Sequence, residues 1–259
     1  MIKITAIFAK EVKNYFYSPI AYVVMTGFAV LSGISFYNRA INFPKYINAA
    51  YQSGQLETIK QNRINFFLIG PMILDIAFII MFLVPVLTMR LFAEEKRMKT
   101  DELLLTSPVT VNQIVAAKYL AGLFFSLLVV FLTFIHIGVI YYYGALPDPG
   151  MTFTSCLALA LFVASIVSIG VFTSSLTENQ IVASVSCLTV ELLFSTFQVA
   201  ARSISNPFVS KILAYLSPQS HMKNLMDGVL ITDDLLYFAS FIFLFLFLTN
   251  RSIESSRWR

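Results

Sequence analysis

Long apolar stretches separated by short polar segments dominate the sequence. Six of these stretches are close to the roughly 20 residues that an α-helix needs to cross the hydrocarbon core of a bilayer. The pattern therefore predicts an all-α, polytopic membrane protein in which residues 1–259 form a single transmembrane domain. The predicted spans are residues 19–38, 65–89, 119–143, 152–174, 179–201 and 233–250.

The amino-terminal segment, residues 2–17, has a different pattern. At about 100° per residue, its apolar and basic side chains fall on opposite faces of a helix. A helix of this kind lies on an anionic membrane surface, so we predict an amphipathic interfacial helix. Its apolar face contains Ile4, Phe8, Val12, Tyr15 and Phe16, and its basic face contains Lys3, Lys10 and Lys13.

The composition agrees with a membrane protein. The chain has 259 residues, of which 58% are hydrophobic and only 12% are charged, about half the charged fraction of a soluble domain. Cys156 and Cys187 lie in apolar stretches, roughly 15 Å apart in depth by helix rise, which exceeds the reach of a disulfide. We interpret them as packing residues, and no residues show the spacing of metal ligands.

The distribution of basic residues predicts the orientation. An even number of spans places both termini on one side of the membrane, and that side carries eleven of the 18 Lys and Arg residues. Because cytoplasmic segments carry an excess of these residues, we predict that both termini are cytoplasmic. The eleven are Lys3, Lys10, Lys13, Arg90, Lys96, Arg97, Lys99, Lys118, Arg251, Arg257 and Arg259.

The only long, densely charged passage is residues 94–120, between the second and third spans, and we call it the elbow. Glu94 with Arg97, and Glu95 with Lys99, have the spacing of ion pairs on a helix surface. The second span is therefore predicted to continue as a helix beyond the membrane.

The second half of the elbow predicts a sharp break followed by a new helix. Proline disfavours a helical conformation in the residue before it, so the helix ends at Ser107-Pro108. Thr110 and Gln113 have the spacing of a capping box. The result is an exposed leucine-rich corner that could enter a groove of a partner protein; an ordinary connecting loop explains the same pattern. The candidate coupling residues are Glu94, Glu95, Arg97, Lys99, Thr100, Glu102, Leu103, Leu104, Ser107 and Pro108.

Three ionisable residues fall inside predicted spans: Asp75, His136 and Glu191. Such groups are costly in hydrocarbon and are expected to face the bundle interior or a water-filled path. Helix rise places them within roughly 5 Å of one another in depth, which would allow an Asp75–His136 hydrogen bond. They form either a substrate or ion pathway or a structural polar layer.

Two longer segments, residues 39–64 and 202–232, are predicted to be external loops. Prolines divide the second into two short amphipathic pieces, residues 208–216 and 220–230, at the outer membrane interface. We interpret the pieces as caps on spans five and six, with a lid over an exit route as the alternative, and His221 as a polar loop residue.

The elbow resembles the cytoplasmic region of the membrane subunits of type-two ABC exporters. In that family a charged helix end precedes a Thr-x-Glu-Leu-Leu-like run, then Ser/Thr-Pro-Val, then a span that begins with Lys. The matching positions here are Glu94, Glu95, Lys96, Thr100, Glu102, Leu103, Leu104, Ser107, Pro108, Val109 and Lys118.

A second resemblance lies near the carboxyl end, in Leu216-Ser217-Pro218, His221, Gly228 and Asp233-Asp234, with Thr249, Arg251, Arg257 and Trp258 closing the chain. The combination is most similar to the gliding-motility-associated permease subfamily of bacterial ABC transporters.

The resemblance implies a permease in the bacterial inner membrane that pairs with a second copy or homologue. Two separate cytoplasmic ABC ATPase subunits would bind ATP and magnesium and push on the elbow. The chain itself contains no G-x-x-x-x-G-K-[ST] motif, so no cofactor is expected on it. Membrane lipid is an expected partner and nucleic acid is not.

Two rival interpretations remain open from the sequence. The first is a membrane-embedded enzyme that uses Asp75, His136 and Glu191. The second is a membrane scaffold that recruits a cytoplasmic ATPase without transporting anything. The sequence does not identify a substrate, because any lipid-facing helix needs an apolar wall.

Overall fold

A computed structural model of the chain describes residues 2–52, 64–100 and 109–256. All regular secondary structure in these ranges is helical, as predicted. The elements in chain order are α1 (Ile2–Tyr17), α2 (Pro19–Gln52), a π-helix (Asn65–Ile69), α3 (Gly70–Thr88), α4 (Arg90–Arg97), α5 (Val111–Phe131), α6 (Thr133–Tyr142), α7 (Pro149–Leu176), α8 (Gln180–Ser203), α9 (Pro207–Leu216), α10 (Pro218–Met226) and α11 (Thr232–Ser256).

Six helical stretches are long and apolar enough to cross a membrane, which confirms the predicted number of spans. The second combines the π-helix, α3 and α4, and the third combines α5 and α6. The six stretches are Pro19–Ala49, Asn65–Arg97, Val111–Tyr142, Pro149–Leu176, Gln180–Ser203 and Thr232–Ser255.

The first span differs from its predicted boundary. We predicted a loop from residue 39 onwards, but α2 continues as a helix to Gln52. The polar residues after position 38 end the apolar stretch, but the next turn still contacts the bundle through Arg39 and Phe43. Asn42 Nδ2 also donates to the Asn38 carbonyl, at 2.8 Å. A fall in hydropathy therefore marked the end of the apolar surface and not the end of the helix.

Helix α7 forms the centre of the bundle and packs against α3, α5, α8, α10 and α11. Small residues allow this close packing: Ala164 and Ser168, which we predicted to lie on a packing face, are buried. Gly170 lies so close to α3 that an added Cβ would sit 2.0 Å from Thr88 Oγ1. Ala160, the third residue of the predicted face, is half-buried and lines an apolar groove between the third span and α7.

Helix α1 packs along α5 at the end of the bundle that carries the elbow, which we call the elbow end. Tyr15 is fully buried, stacks on Phe125 at 4.7 Å and donates a hydrogen bond from its hydroxyl to the Leu87 carbonyl, at 3.0 Å. Phe8 contacts Phe124 edge-on. Part of the apolar face of the amphipathic helix therefore packs against the bundle.

Helices α9 and α10 lie at the opposite end of the bundle, and α10 buries Met222, Leu225 and Met226 against α7. Our prediction for His221 was wrong. The residue is buried on α10, because its imidazole pairs with Asp234 of α11 and stacks on Tyr237.

Candidate functional site

The elbow is described at its two ends. Helix α4 ends at Arg97, and Met98 to Thr100 form a turn in which Lys99 has a positive φ of 55°. The chain is described again at Val109, and Thr110 begins α5 with Gln113 Oε1 accepting from the Thr110 amide, at 3.3 Å. The predicted coupling residues Glu102, Leu103, Leu104, Ser107 and Pro108 lie outside the described residues.

A side chain of α7 fixes the break between α3 and α4. The Ser174 hydroxyl donates to the Met89 carbonyl at 2.7 Å and accepts from the Phe92 and Ala93 amides at 3.0 and 3.1 Å. It therefore stands within the backbone hydrogen-bond ladder of the second span, which is a known cause of helix kinks. Ser174 of α7 therefore holds the junction between α3 and α4.

A group of four charges, centred on a buried lysine, joins α4 to α1 and α5. Lys118 of α5 is fully buried, and its ammonium lies 2.8 Å from Glu11 Oε1 of α1 and 2.9 Å from Glu95 Oε2 of α4. The Glu95 contact is an ion pair by distance, without the angle of a directed hydrogen bond. Lys10 donates to the other Glu95 oxygen at 3.0 Å. We call Lys10, Glu11, Glu95 and Lys118 the charge cluster.

The charge cluster is balanced, with two ammonium groups and two carboxylates. Lys118 also donates to the Leu91 carbonyl, so the buried ammonium has three oxygen partners, as an ion removed from water requires. Burial alone lowers the pKa of Lys10, but its hydrogen bond to Glu95 and the neighbouring carboxylates raise that pKa above its usual value.

The predicted ion pair between Glu95 and Lys99 is not formed. Helix α4 ends two residues before Lys99, whose left-handed conformation removes it from the helical face that carries Glu95. Glu95 instead reaches Lys10 and Lys118, both distant in sequence. Arg97, Lys99 and Thr100 are exposed beyond the charge cluster.

Asp75, inside the second span, is paired with a residue of α2. Arg39 donates from Nε and Nη2 to the two Asp75 oxygens, each at 2.8 Å, and Ser35 donates at 2.6 Å. These three bonds replace the Asp75–His136 hydrogen bond that we considered. We missed Arg39 because the first span was predicted to end at residue 38; its position four residues after Ser35 on one helix face was the available signal.

The other two intramembrane residues have different surroundings. His136 packs on Phe36 with 5.1 Å between ring centroids, and its Nδ1 has no hydrogen-bond partner among the described residues. Glu191 is 3% exposed, and within the described part of the chain neither carboxyl oxygen has a partner. That the three residues lie at one depth stays a prediction.

Six apolar spans and a charged segment tied to three helices at one end define a polytopic membrane protein. Residues 5–249 match the family described as ABC-2 family transporter protein. This match covers nearly the whole chain, and the protein belongs to that family. No curated protein matches the chain.

Membership confirms the resemblance at the level of the ABC-2 permeases. The chain is a transmembrane component of an ABC transporter and not itself a catalytic enzyme. Permeases of this family work with ABC ATPase subunits, typically in a dimer.

Proposed function

We propose that this chain is the permease of an ATP-driven exporter in the bacterial inner membrane. The elbow receives the ATPase on the cytoplasmic side, and the charge cluster passes its movement to the spans. The observation that carries this proposal is the buried contact of Lys118 with Glu95 and Glu11, because it joins the elbow helix to two other helices at once.

The contacts of α4 support a transmission role. Glu95 connects α4 to α5 and α1, and Ser174 connects the start of α4 to the central helix α7. Lys96 adds a second bond to α7, from its ammonium to the Ser175 carbonyl. A displacement of α4 would therefore act on α1, α5 and α7 together, since each is bound to it through polar contacts.

The exposed basic residues at the end of α4 are suited to docking. Arg97 and Lys99 are exposed and follow Glu95 of the charge cluster by two and four residues. Exposed charges of this kind guide and orient association more than they stabilise the fold. We infer that they contact the ATPase, which supplies the ATP and magnesium site. A second permease subunit completes the proposed transporter. A role in gliding motility is a further, more specific part of the proposal.

Reversing the exposed charges tests the docking assignment. We expect Arg97→Glu with Lys99→Glu to reduce the amount of ABC ATPase that co-purifies with the tagged permease at least about tenfold. The reason is that the reversed charges would be repelled by the ATPase surface to which Arg97 and Lys99 bind in this proposal. The measurement is the ratio of ATPase to permease after purification from native membranes, together with ATP hydrolysis by the complex.

The matched control is Arg202→Glu with Lys211→Glu, two exposed basic residues at the opposite end of the bundle. It should retain the wild-type ratio. An Arg97/Lys99 variant with an unchanged ratio would overturn the docking assignment. Co-purification without any stimulation of ATP hydrolysis in the wild-type complex would instead favour the scaffold interpretation.

A further inference from the structure

The second span is interrupted between α3 and α4, and at this junction side chains of three other helices bond to its backbone. The donors lie on α1, α7 and α5, and the acceptors are carbonyl oxygens two residues apart. The pairs are Tyr15 with Leu87 at 3.0 Å, Ser174 with Met89 at 2.7 Å, and Lys118 with Leu91. The junction is therefore held by three neighbouring helices at once.

Ser174 differs from the other two donors because its hydroxyl also accepts. In a continuous α-helix the Ala93 amide donates to the Met89 carbonyl, four residues earlier. Here the Ser174 oxygen accepts from the Ala93 amide at 3.1 Å and donates to the Met89 carbonyl at 2.7 Å. The hydroxyl of one helix thus takes the place of a backbone hydrogen bond in another, and both backbone groups remain satisfied.

The other hydroxyl groups along the second half of α7 bond to their own helix. Each donates to the carbonyl three residues before it, a common arrangement for serine and threonine in helices. These residues are Ser165, Ser168, Thr173 and Ser175. The same option exists for Ser174 at the Val171 carbonyl, so its bond to the second span is one of two arrangements that the helix geometry permits.

We propose that the junction between α3 and α4 is a two-state hinge, and that Ser174 is the residue that positions α4 in it. In the inserted state, which the structure describes, the Ser174 hydroxyl lies between the Met89 carbonyl and the Ala93 amide. In the direct state the Ala93 amide donates to the Met89 carbonyl, and the Ser174 hydroxyl donates to the Val171 carbonyl.

The two states satisfy the same backbone and side-chain groups. In the inserted state Ser174 donates one bond and accepts two, from the Phe92 amide at 3.0 Å and from the Ala93 amide. In the direct state these two amides return to the carbonyls four residues before them, and the hydroxyl bonds within α7. Because no buried group loses its partner, the exchange avoids the penalty that normally fixes a buried polar contact.

The backbone at the junction needs little change for this exchange. Met89 already has helical dihedral angles, with φ −53° and ψ −31°, and its amide donates to the Pro85 carbonyl at 3.0 Å. On the other side of the hinge, Gly170 of α7 lies directly against Thr88 of α3, so these two helices are fixed relative to each other. The movement therefore falls on α4.

The hinge deepens the proposed function and rests on it for its role in coupling. A hydroxyl between an amide and a carbonyl separates them more than a direct bond does, so α4 has a different position in each state. Glu95, through which the ATPase is proposed to act, lies two residues beyond Ala93 on α4. A force applied to α4 therefore shifts the populations of the inserted and direct states.

The Met89 carbonyl tests the hinge directly, because the sequence contains a single Met-Arg pair, Met89-Arg90. Labelling methionine with ¹³C at the carbonyl and arginine with ¹⁵N therefore isolates one NMR signal from the permease in lipid nanodiscs. Chemical exchange saturation transfer detects a second state that exchanges on the microsecond-to-millisecond timescale. We expect a minor direct state, populated at about 1–10%, in the permease alone.

Two variants separate the hinge from a fixed structural contact. Ser174→Ala removes the inserted hydroxyl and should leave a single signal at the chemical shift of the wild-type minor state. Ser174→Cys nearly keeps the size of the side chain but weakens the donor, so it should raise the population of the direct state at least about threefold. The matched control Ser168→Ala removes a buried hydroxyl that bonds within α7, and it should retain both wild-type populations.

Adding the ATPase with a non-hydrolysable ATP analogue should change the ratio of the two wild-type states at least about fivefold and leave Ser174→Ala unchanged. If no ATPase binds, the proposed function fails, but the measurement on the permease alone still decides the hinge. A single wild-type state there, a Ser174→Ala signal away from the minor state, or a wild-type ratio in Ser174→Cys would overturn the hinge. An unchanged ratio in the bound wild-type complex would overturn its role in coupling.

Discussion

Lys118 is the residue on which the described elbow contacts converge. Its side chain is 1% exposed and has three oxygen partners: Glu11 of α1, and Glu95 and the Leu91 carbonyl of α4. An ammonium in such a place is stable only while those partners are present, since water is excluded. Lys118 therefore both stabilises the fold and connects the helices to one another.

Lys118→Met should lower the free energy of unfolding by about 3–5 kcal/mol, the usual loss when one partner of a buried ion pair is removed. The reason is that Glu11 loses its cation within the cluster and Glu95 keeps only Lys10. Reversible denaturation in micelles measures the change. Lys223→Met, at an exposed lysine, should stay within about 0.5 kcal/mol of wild type; an equal loss in both variants would contradict the role of the cluster.

At the residue scale, the sequence revealed which groups needed partners but not which partners they have. Asp75 within a span was recognisable as a residue that requires compensation, whereas Lys118 was assigned to the cytoplasmic elbow. Glu11 and Arg39, which provide it, were not identified, because each belongs to a segment placed outside the membrane by hydropathy alone. Pairing across 107 and 36 residues depends on how the helices pack.

At the element scale, the contact between α3 and α7 is the tightest helix crossing that involves a glycine. Gly170 faces Thr88, whose hydroxyl already bonds to the Val84 carbonyl at 3.1 Å. Ser174, one turn further along α7, then bonds to the break between α3 and α4. The approach allowed by Gly170 therefore brings Ser174 within reach of the elbow helix.

Gly170→Ala should destabilise the protein by about 1–3 kcal/mol, because the added methyl overpacks a rigid helix crossing. A thermal unfolding series provides the measurement. Gly138→Ala is the control, since a Cβ at that position meets nothing within 4 Å. Thr88→Gly in the Gly170→Ala background should recover part of the loss, and a failure of that rescue would show that the clash is not with Thr88.

Most of the elements were predictable, because length and apolarity identify a membrane span without knowledge of its neighbours. The six spans, the helical extension beyond the second and the start of α5 at Thr110 followed from local sequence. The length of α2 did not, since its last turns are mostly exposed and do not continue the apolar stretch of the span. The kink at Met89 depends on a serine of another helix.

At the scale of the whole molecule, a different group of polar side chains joins the helices at each end of the bundle. The elbow end has the charge cluster, which joins α1, α4 and α5, and the opposite end has the buried His221–Asp234 pair, which joins α9, α10 and α11. Helix α7 packs against elements of both. A movement that begins at the elbow can therefore reach the opposite end through the most buried span.

The account rests on the claim that Glu95 transmits the movement of the ATPase to the spans. The most direct measurement is permease-stimulated ATP hydrolysis by the reconstituted complex carrying Glu95→Gln. This variant removes the charge through which α4 pairs with both lysines, and it leaves the Glu11–Lys118 pair and the bond from Lys118 to the Leu91 carbonyl in place.

With Glu94→Gln as the matched control on the same helix, we predict that both variants assemble with the ATPase as wild type does. Stimulated hydrolysis should fall about tenfold in Glu95→Gln alone, equivalent to about 1.4 kcal/mol of lost coupling. Full stimulation in an assembled Glu95→Gln complex would contradict the account.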